Sequence, residues 1–337
     1  MLKLIFILTN ALVFFSLSAN EINIYTARHY NSDLVLYEKF RKLTGIKVNV
    51  VSGKSKALEK RIQEEGKDCP ADLFIVADAG RLYSAQTKDL FQKFNSKKIE
   101  QIVPANFRTQ FWFGIAKRAR IFFINKNNPN IAVLKNINYN SLADPDLKKK
   151  VLIRSSNNIY NQSLVAHLIE INGYEITKQW AKKLVLNMAR PPQGNDRSQL
   201  LGVASGNAEI AVANTYYYAL MLSGQKGKEQ KEAAKKLLPI FPNQKSDGTH
   251  MNISGVGILK NSKNFDNAIK FSEFLLSKQA QEHIVNNTFE YPMLENVKPH
   301  QIISEMGTSF KQSSINVSTY GKWQSDGLKL MIESGWN

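Results

Sequence analysis

A single cysteine in 337 residues, Cys69, leaves no intrachain disulfide to hold the fold together. The same scarcity excludes a cysteine-rich zinc module, and Cys69 is expected to be a small buried hydrophobe. Long apolar runs are nearly absent too. After the first twenty residues no stretch reaches the roughly 18 apolar residues that cross a bilayer. Catalytic signatures are missing as well. There is no Gly-x-Ser-x-Gly elbow and no His-Glu-x-x-His pair. Gly53-Lys54-Ser55 ends like a phosphate-binding loop, but Val48 stands where that motif needs its first glycine. The five histidines are mostly isolated, and His167, His250, His283 and His300 are expected to be structural. No nucleophile–base pair is visible, so the chain is not expected to be an enzyme.

The N-terminus supplies the one long apolar run. Lys3 precedes an apolar stretch over 4–15, followed by the small residues Ser16, Ser18 and Ala19. Length, flank and ending fit a secretory signal peptide over 1–20, cut between about Ser18 and Asn20. The mature protein is then exported, with a bacterial periplasm as the compartment. Cys69 lies too far along to carry a lipid anchor at the mature N-terminus. Lysine and arginine number 45 against 28 acidic residues, a formal charge of +17. Such an excess raises nucleic acid as a partner, but the charges are scattered, Lys148-Lys149-Lys150 is the longest basic run, and export argues against it. No nucleic acid partner is expected.

Along the chain, periodicity alternates between two and three-to-four residues. Strands are expected at 21–27, 46–51 and 73–77, with helices from Ser32 (placed as the cap), at 56–65 and at 79–90. That alternation implies a parallel sheet. A long strand at 111–124 then passes from one lobe to another. The second half reads as strands at 151–155, 209–213 and 252–260. Helices are expected at 163–171, 177–187, 199–205 and 265–286, with a polar, loop-rich segment over 224–248. The expected fold class is α/β with two lobes.

Tyrosines mark three strand-to-helix junctions. They are Ile24-Tyr25-Thr26-Ala27-Arg28-His29-Tyr30, Ile153-Arg154-Ser155-Ser156-Asn157-Asn158-Ile159-Tyr160, and Val212-Ala213-Asn214-Thr215-Tyr216-Tyr217. In open α/β sheets ligands bind outside the carboxyl ends of strands, so Tyr30, Tyr160, Tyr216, Tyr217 and His29 are candidates to meet across an interlobe cleft. A phenol titrates near 10 and is a poor base at neutral pH. Several phenolates repel unless a highly charged cation sits between them. A hard trivalent ion such as Fe³⁺ suits anionic oxygen donors with an imidazole beside them. Tyrosines also pack in cores and stack on sugars, and the pattern alone does not separate those roles from ligation. Two further ligands suit a tyrosine-lined cleft: an organic cation such as a polyamine or thiamine, held through cation–π contacts, or an oxyanion.

At these residues the sequence resembles the periplasmic ferric-iron-binding proteins of ABC transporters, most closely the tyrosine-rich cyanobacterial-type branch. Asn214-Thr215-Tyr216-Tyr217 is the most specific piece. Others are Tyr25-Thr26-Ala27-Arg28-His29-Tyr30, Pro70-Ala71-Asp72, Asp78-Ala79-Gly80-Arg81-Leu82, Lys117-Arg118-Ala119-Arg120, Asn252-Ile253-Ser254-Gly255-Val256-Gly257, Phe274-Leu275-Leu276-Ser277 and Glu290-Tyr291-Pro292. The resemblance implies a type II periplasmic binding protein with an interlobe cleft and hinge crossover strands. Lobe one would comprise 21–119 plus about 243–296, and lobe two 120–242 plus about 297–337. It further implies that Tyr30, Tyr160, Tyr216 and Tyr217 ligate Fe³⁺ with His29 as a fifth ligand, and that Arg120 offsets the surplus negative charge. Ser-Gly-x-Gly and Glu-Tyr-Pro mark the family without touching metal, and Tyr218 packs. The implied activity is delivery of ferric iron by a monomer to an inner-membrane ABC permease, with no external anion required.

Overall fold

The computed structural model describes residues 20–28 and 30–337. The expected signal peptide, Asn20 apart, and His29 lie outside the described residues.

Three strands, β1 (Glu21–Thr26), β2 (Lys47–Ser52) and β3 (Leu73–Ala77), pair in parallel in the order β2-β1-β3, as the opening alternation implied. The next strand, β4 (Trp112–Asn125), is long because its sequence is apolar almost throughout, and it serves two sets of partners. Residues Trp112 to Ala119 pair antiparallel with β8 (Met251–Ile258), which continues the first sheet beside β3. From Arg120 onward β4 pairs with β6 (Ile210–Asn214) and β7 (Leu237–Ile240), and β5 (Val151–Leu152) extends that side in parallel with β6. A short β9 (Tyr291–Pro292) closes on β4. Two apolar clusters fill the space under the helices. One runs through β1, β3, β8 and the first half of β4, and the other lies around Phe122, Ile124, Trp180 and Trp336. The result is a mixed α/β fold of two lobes joined by strand β4.

The pieces marked by the resemblance have visible structural work. Asp72 is buried and accepts from the Asn23 N–H at 2.8 Å, the Ser262 hydroxyl at 2.7 Å and the Asn264 N–H at 3.1 Å, which ties β1 to the segment after β8. Gly257 has the edge of Phe91 2.5 Å from where a β-carbon would stand, so only glycine lets that ring lie on β8.

Several expected boundaries move. The polar segment over 224–248 is not mostly loop: it carries a helix, Lys228–Lys235, and β7. That helix buries only Ala234, so its residues read as solvated. The helix expected over 265–286 is two, Phe265–Leu275 and Lys278–Thr288, because the Ser277 hydroxyl caps the second by accepting from the Ala280 N–H at 3.3 Å. The helix expected at 79–90 ends at Thr87, since Leu90 accepts a ladder bond from the Lys260 N–H at 2.8 Å. Asn31, not Ser32, occupies the cap position of Ser32–Thr44, and it makes no side-chain cap bond. The strand expected at 151–155 stops at Leu152, and the following helix starts earlier than expected, at Ile159. Tyr160 therefore sits in a helical first turn.

Candidate metal centre

Each candidate tyrosine stands where a strand hands over to a helix. Tyr30 follows β1 and Arg28, two residues before the helix Ser32–Thr44. Tyr160 opens the helix Ile159–Asn172, and its turn is braced from within. The buried Asn161 donates to the Arg154 carbonyl at 2.6 Å, and Gln162 donates to the Ser156 carbonyl at 2.8 Å. Tyr216 and Tyr217 open the helix Thr215–Leu222, which begins directly at the end of β6 without an intervening turn. Their adjacent rings stand 4.2 Å apart between centroids, tilted by 32°. Tyr216 donates its hydroxyl to the Tyr160 oxygen at 3.3 Å. Tyr218, by contrast, stacks on Phe123 at 5.1 Å, away from this group and inside the core, as expected.

The electrostatics bind the four phenols into one unit. Burial pushes the Tyr216 phenol far above its ordinary value, and the neighbouring Tyr160, Tyr217 and Tyr30 push it further. Burial likewise raises Tyr30, and nearby Glu290 and Tyr160 add to that, while Arg28 and Arg118 oppose. Tyr217 is pushed up to about 12, by burial first and then by Tyr160 and Asp196. Tyr30 thus shares a field with phenols carried by the other lobe. Tyr30, Tyr216 and Tyr217 are held in the protonated form, close to one another and to Tyr160. That arrangement is poor for binding a neutral solute and well prepared for an ion able to displace several protons.

The two arginines of β4 near the phenols, Arg118 and Arg120, are engaged differently. Arg120 is buried, but its guanidinium is already committed. It donates to Asp196 at 3.2 Å, to the Asn214 side-chain carbonyl at 3.2 Å and to that of Asn161 at 2.5 Å. Arg118, two residues earlier on β4, faces the phenols instead, its guanidinium carbon 5.1 Å from the Tyr160 ring centre. Its nitrogens make no hydrogen bond among the described residues. They stand 3.7 Å from Asp78 and 3.6 Å from Glu290. Burial works against its charge, but Tyr160, Asp78 and Glu290 outweigh that and hold it cationic. Arg28 completes the row, 4.9 Å from the Tyr30 ring and bonded to Asp33 at 3.1 Å and Glu290 at 3.0 Å.

Arg118, Glu290 and Asp78 are the site residues that sequence reading did not single out. Glu290 comes from the Glu-Tyr-Pro piece, which was expected to mark the family without touching metal, and its contacts are to arginines. It bridges Arg28 and Arg118 and accepts from Ser254 at 2.7 Å. An organic-cation cage would need a free carboxylate beside its aromatic rings. Here Glu290 and Asp196 are each claimed by arginine. Among the described residues no three His, Cys, Asp or Glu side chains gather into an ion-holding group.

Comparisons with known proteins point the same way. The family of bacterial extracellular solute-binding proteins matches residues 32–282. The chain is 43% identical over 318 residues to iron uptake protein A1 of Synechocystis, an alignment covering 94% of this chain and 87% of that one. It is 30% identical to the Fe(3+)-binding periplasmic protein of Serratia marcescens, over 80% of this chain and 78% of that relative. Among solved structures, it matches a Trichodesmium protein in complex with iron and citrate ligands at 44% identity and a TM-score of 0.90, covering 94% of this chain and 100% of that one. The ferric binding protein from Campylobacter jejuni matches at 40% identity and a TM-score of 0.86, with the same coverage.

Proposed function

This chain belongs to the bacterial extracellular solute-binding proteins, and we propose that it captures Fe³⁺ in its interlobe cleft and delivers it to an ABC-type permease in the inner membrane. Tyr30, Tyr160, Tyr216 and Tyr217 are the proposed ligands, with His29 as a fifth, and the buried cation beside them is Arg118 rather than Arg120. The observation that carries this reading is the proximity of four phenols, three of them held in the protonated form, beside the Arg118 guanidinium, which makes no hydrogen bond. Only a highly charged ion repays the loss of several phenol protons at once. Iron is cargo here, held without chemistry at the metal, and a monomer working in the periplasm suffices for the task.

Closure follows from the placement of the ligands. Tyr30 belongs to the lobe of β1, and the other three phenols belong to the lobe of β5 and β6. An ion bound by both sets holds the lobes together, and opening removes Tyr30 from the ligand set. We assign the first lobe to 21–119 plus about 243–296 and the second to 120–242 plus about 297–337. The change of β4 partners between Ala119 and Arg120 supports the first of these boundaries.

Loading purified protein with ferric citrate tests the reading. A visible phenolate-to-iron charge-transfer band is expected, lost in the Tyr216→Phe/Tyr217→Phe double variant. A colourless protein with an unchanged thermal midpoint after loading refutes it.

A further inference from the structure

Asp78 has no place among the proposed ligands, yet it is the most constrained residue near them. It caps the helix Ala79–Thr87 with φ 111° and ψ 124°, a region that side-chain-bearing residues rarely enter. It is fully buried. Such an outlier persists only where surrounding bonds over-determine it, and these outliers gather at working sites.

The bonds are present. The Asp78 carboxylate accepts from the Gly80 N–H at 2.9 Å and from the Asn252 amide at 2.9 Å, both on its own lobe. Its remaining partners lead elsewhere. The hydroxyl of Ser163 lies 3.0 Å from both carboxylate oxygens. Ser163 stands one turn after Tyr160, on the helix that follows β5 in the other lobe. The Arg118 guanidinium that faces Tyr160 is 3.7 Å away. A second contact runs parallel: Gln324 donates to Gln162 at 3.1 Å while its carbonyl oxygen covers the α-carbon of Gly80.

We propose that Asp78 is the latch of the closed state. It grips the helix of Tyr160 through Ser163 when the lobes meet and lets go when they part. The proposal rests on the iron-capture reading and adds the residue that sets how long the cargo is held. Gly80 and Asn252 keep the strained carboxylate aimed at the cleft in either state, so among the carboxylate's own hydrogen bonds the one to Ser163 is the one made and broken. A bond present in one conformation alone shifts the balance between the two by its full strength. Asp78 touches no ligand oxygen and is a positioning residue.

Ser163→Ala removes the crossing bond and leaves the Gly80 and Asn252 contacts in place. The expected results are a larger radius of gyration for the metal-free protein by small-angle X-ray scattering, and iron loss to excess chelator faster by about tenfold to a hundredfold, the span for a hydrogen bond to a charged group. The charge-transfer maximum should stay where it is, because all four phenols remain. Ser163→Thr, which keeps the hydroxyl, should restore the slow rate, and Asp78→Asn should show the same loosening by scattering. Unchanged scattering and release in Ser163→Ala overturn the latch. So does a shifted band without faster release, which would make Ser163 a shaper of the ligand set. The scattering arm needs no iron, so it decides the latch even if the iron reading fails.

Discussion

Proton release on iron binding gives the sharpest test of the centre. Burial and mutual proximity hold the Tyr30 and Tyr216 phenols well above their ordinary titration range and Tyr217 at about 12. In the metal-free protein at neutral pH these three groups each carry a proton. Ligation as phenolates expels at least three protons per ion. Protons and iron compete for the same oxygens, so affinity falls as pH drops. Three protons correspond to about a thousandfold loss per pH unit, or about 4 kcal/mol. Calorimetric titration with ferric citrate near neutral pH, repeated in buffers of different ionisation heat, counts the protons directly once those taken up by citrate are subtracted. Tyr217→Phe should lower the count by one. A count of two or fewer in the unaltered protein refutes a centre built on three phenolates.

Arg118→Gln should shrink the rise in thermal midpoint that iron produces, whereas Arg120→Gln should lower the midpoint itself and leave that rise largely intact; equal effects on the rise would return the compensating role to Arg120. The pH profile of the metal-free protein should bend at the buried His250. Burial first, then His167, Arg120 and Arg118, push the His250 imidazole well below its ordinary value, so the unfolded chain binds a proton that the folded one refuses. Stability therefore rises with pH in that window and is lost on acidification below about 6.5, by up to about 1.4 kcal/mol per pH unit. Urea melts of His250→Phe should show a flatter slope, and an unchanged slope would assign the acid sensitivity elsewhere. Gly321→Ala would bring a methyl group to 2.2 Å from the Tyr83 β-carbon, and the overpacking should cost about 1–3 kcal/mol in a thermal or urea melt.

The parts of this fold that repeat a strong period were legible before any coordinate. Strand Leu73–Ala77 and the parallel opening alternation follow from apolar runs that have only one sensible burial. The placement of the tyrosines at strand-to-helix junctions was legible too, although the pattern alone left packing and ligation open. Polar helices were not. Lys228–Lys235 buries a single alanine, and the break at Ser277 depends on one hydroxyl reaching one N–H. Glu290 was hidden for a related reason: its role depends on partners 262 residues away along the chain, which no local pattern encodes.

The exchange of Arg120 for Arg118 comes from register. Both side chains leave the same face of β4, two residues apart, so sequence alone treats them alike. Strand β4 changes partners between them. Arg118 pairs across from Asn252 on β8, and Arg120 pairs across from Asn214 at the end of β6. Asn214 and the Asp196 carboxylate that accepts its backbone N–H hold the Arg120 guanidinium. Arg118 meets its carboxylates, Asp78 and Glu290, only at 3.7 and 3.6 Å, without a hydrogen bond, and faces Tyr160. The ion pairs around the phenols join four guanidiniums, those of Arg28, Arg118, Arg120 and Arg154, to four carboxylates, those of Asp33, Asp78, Asp196 and Glu290. That scaffold is electrically balanced before any phenol ionises. On the proposed ligand set, three phenolates would neutralise a trivalent ion, and a fourth would leave one negative charge beside Arg118.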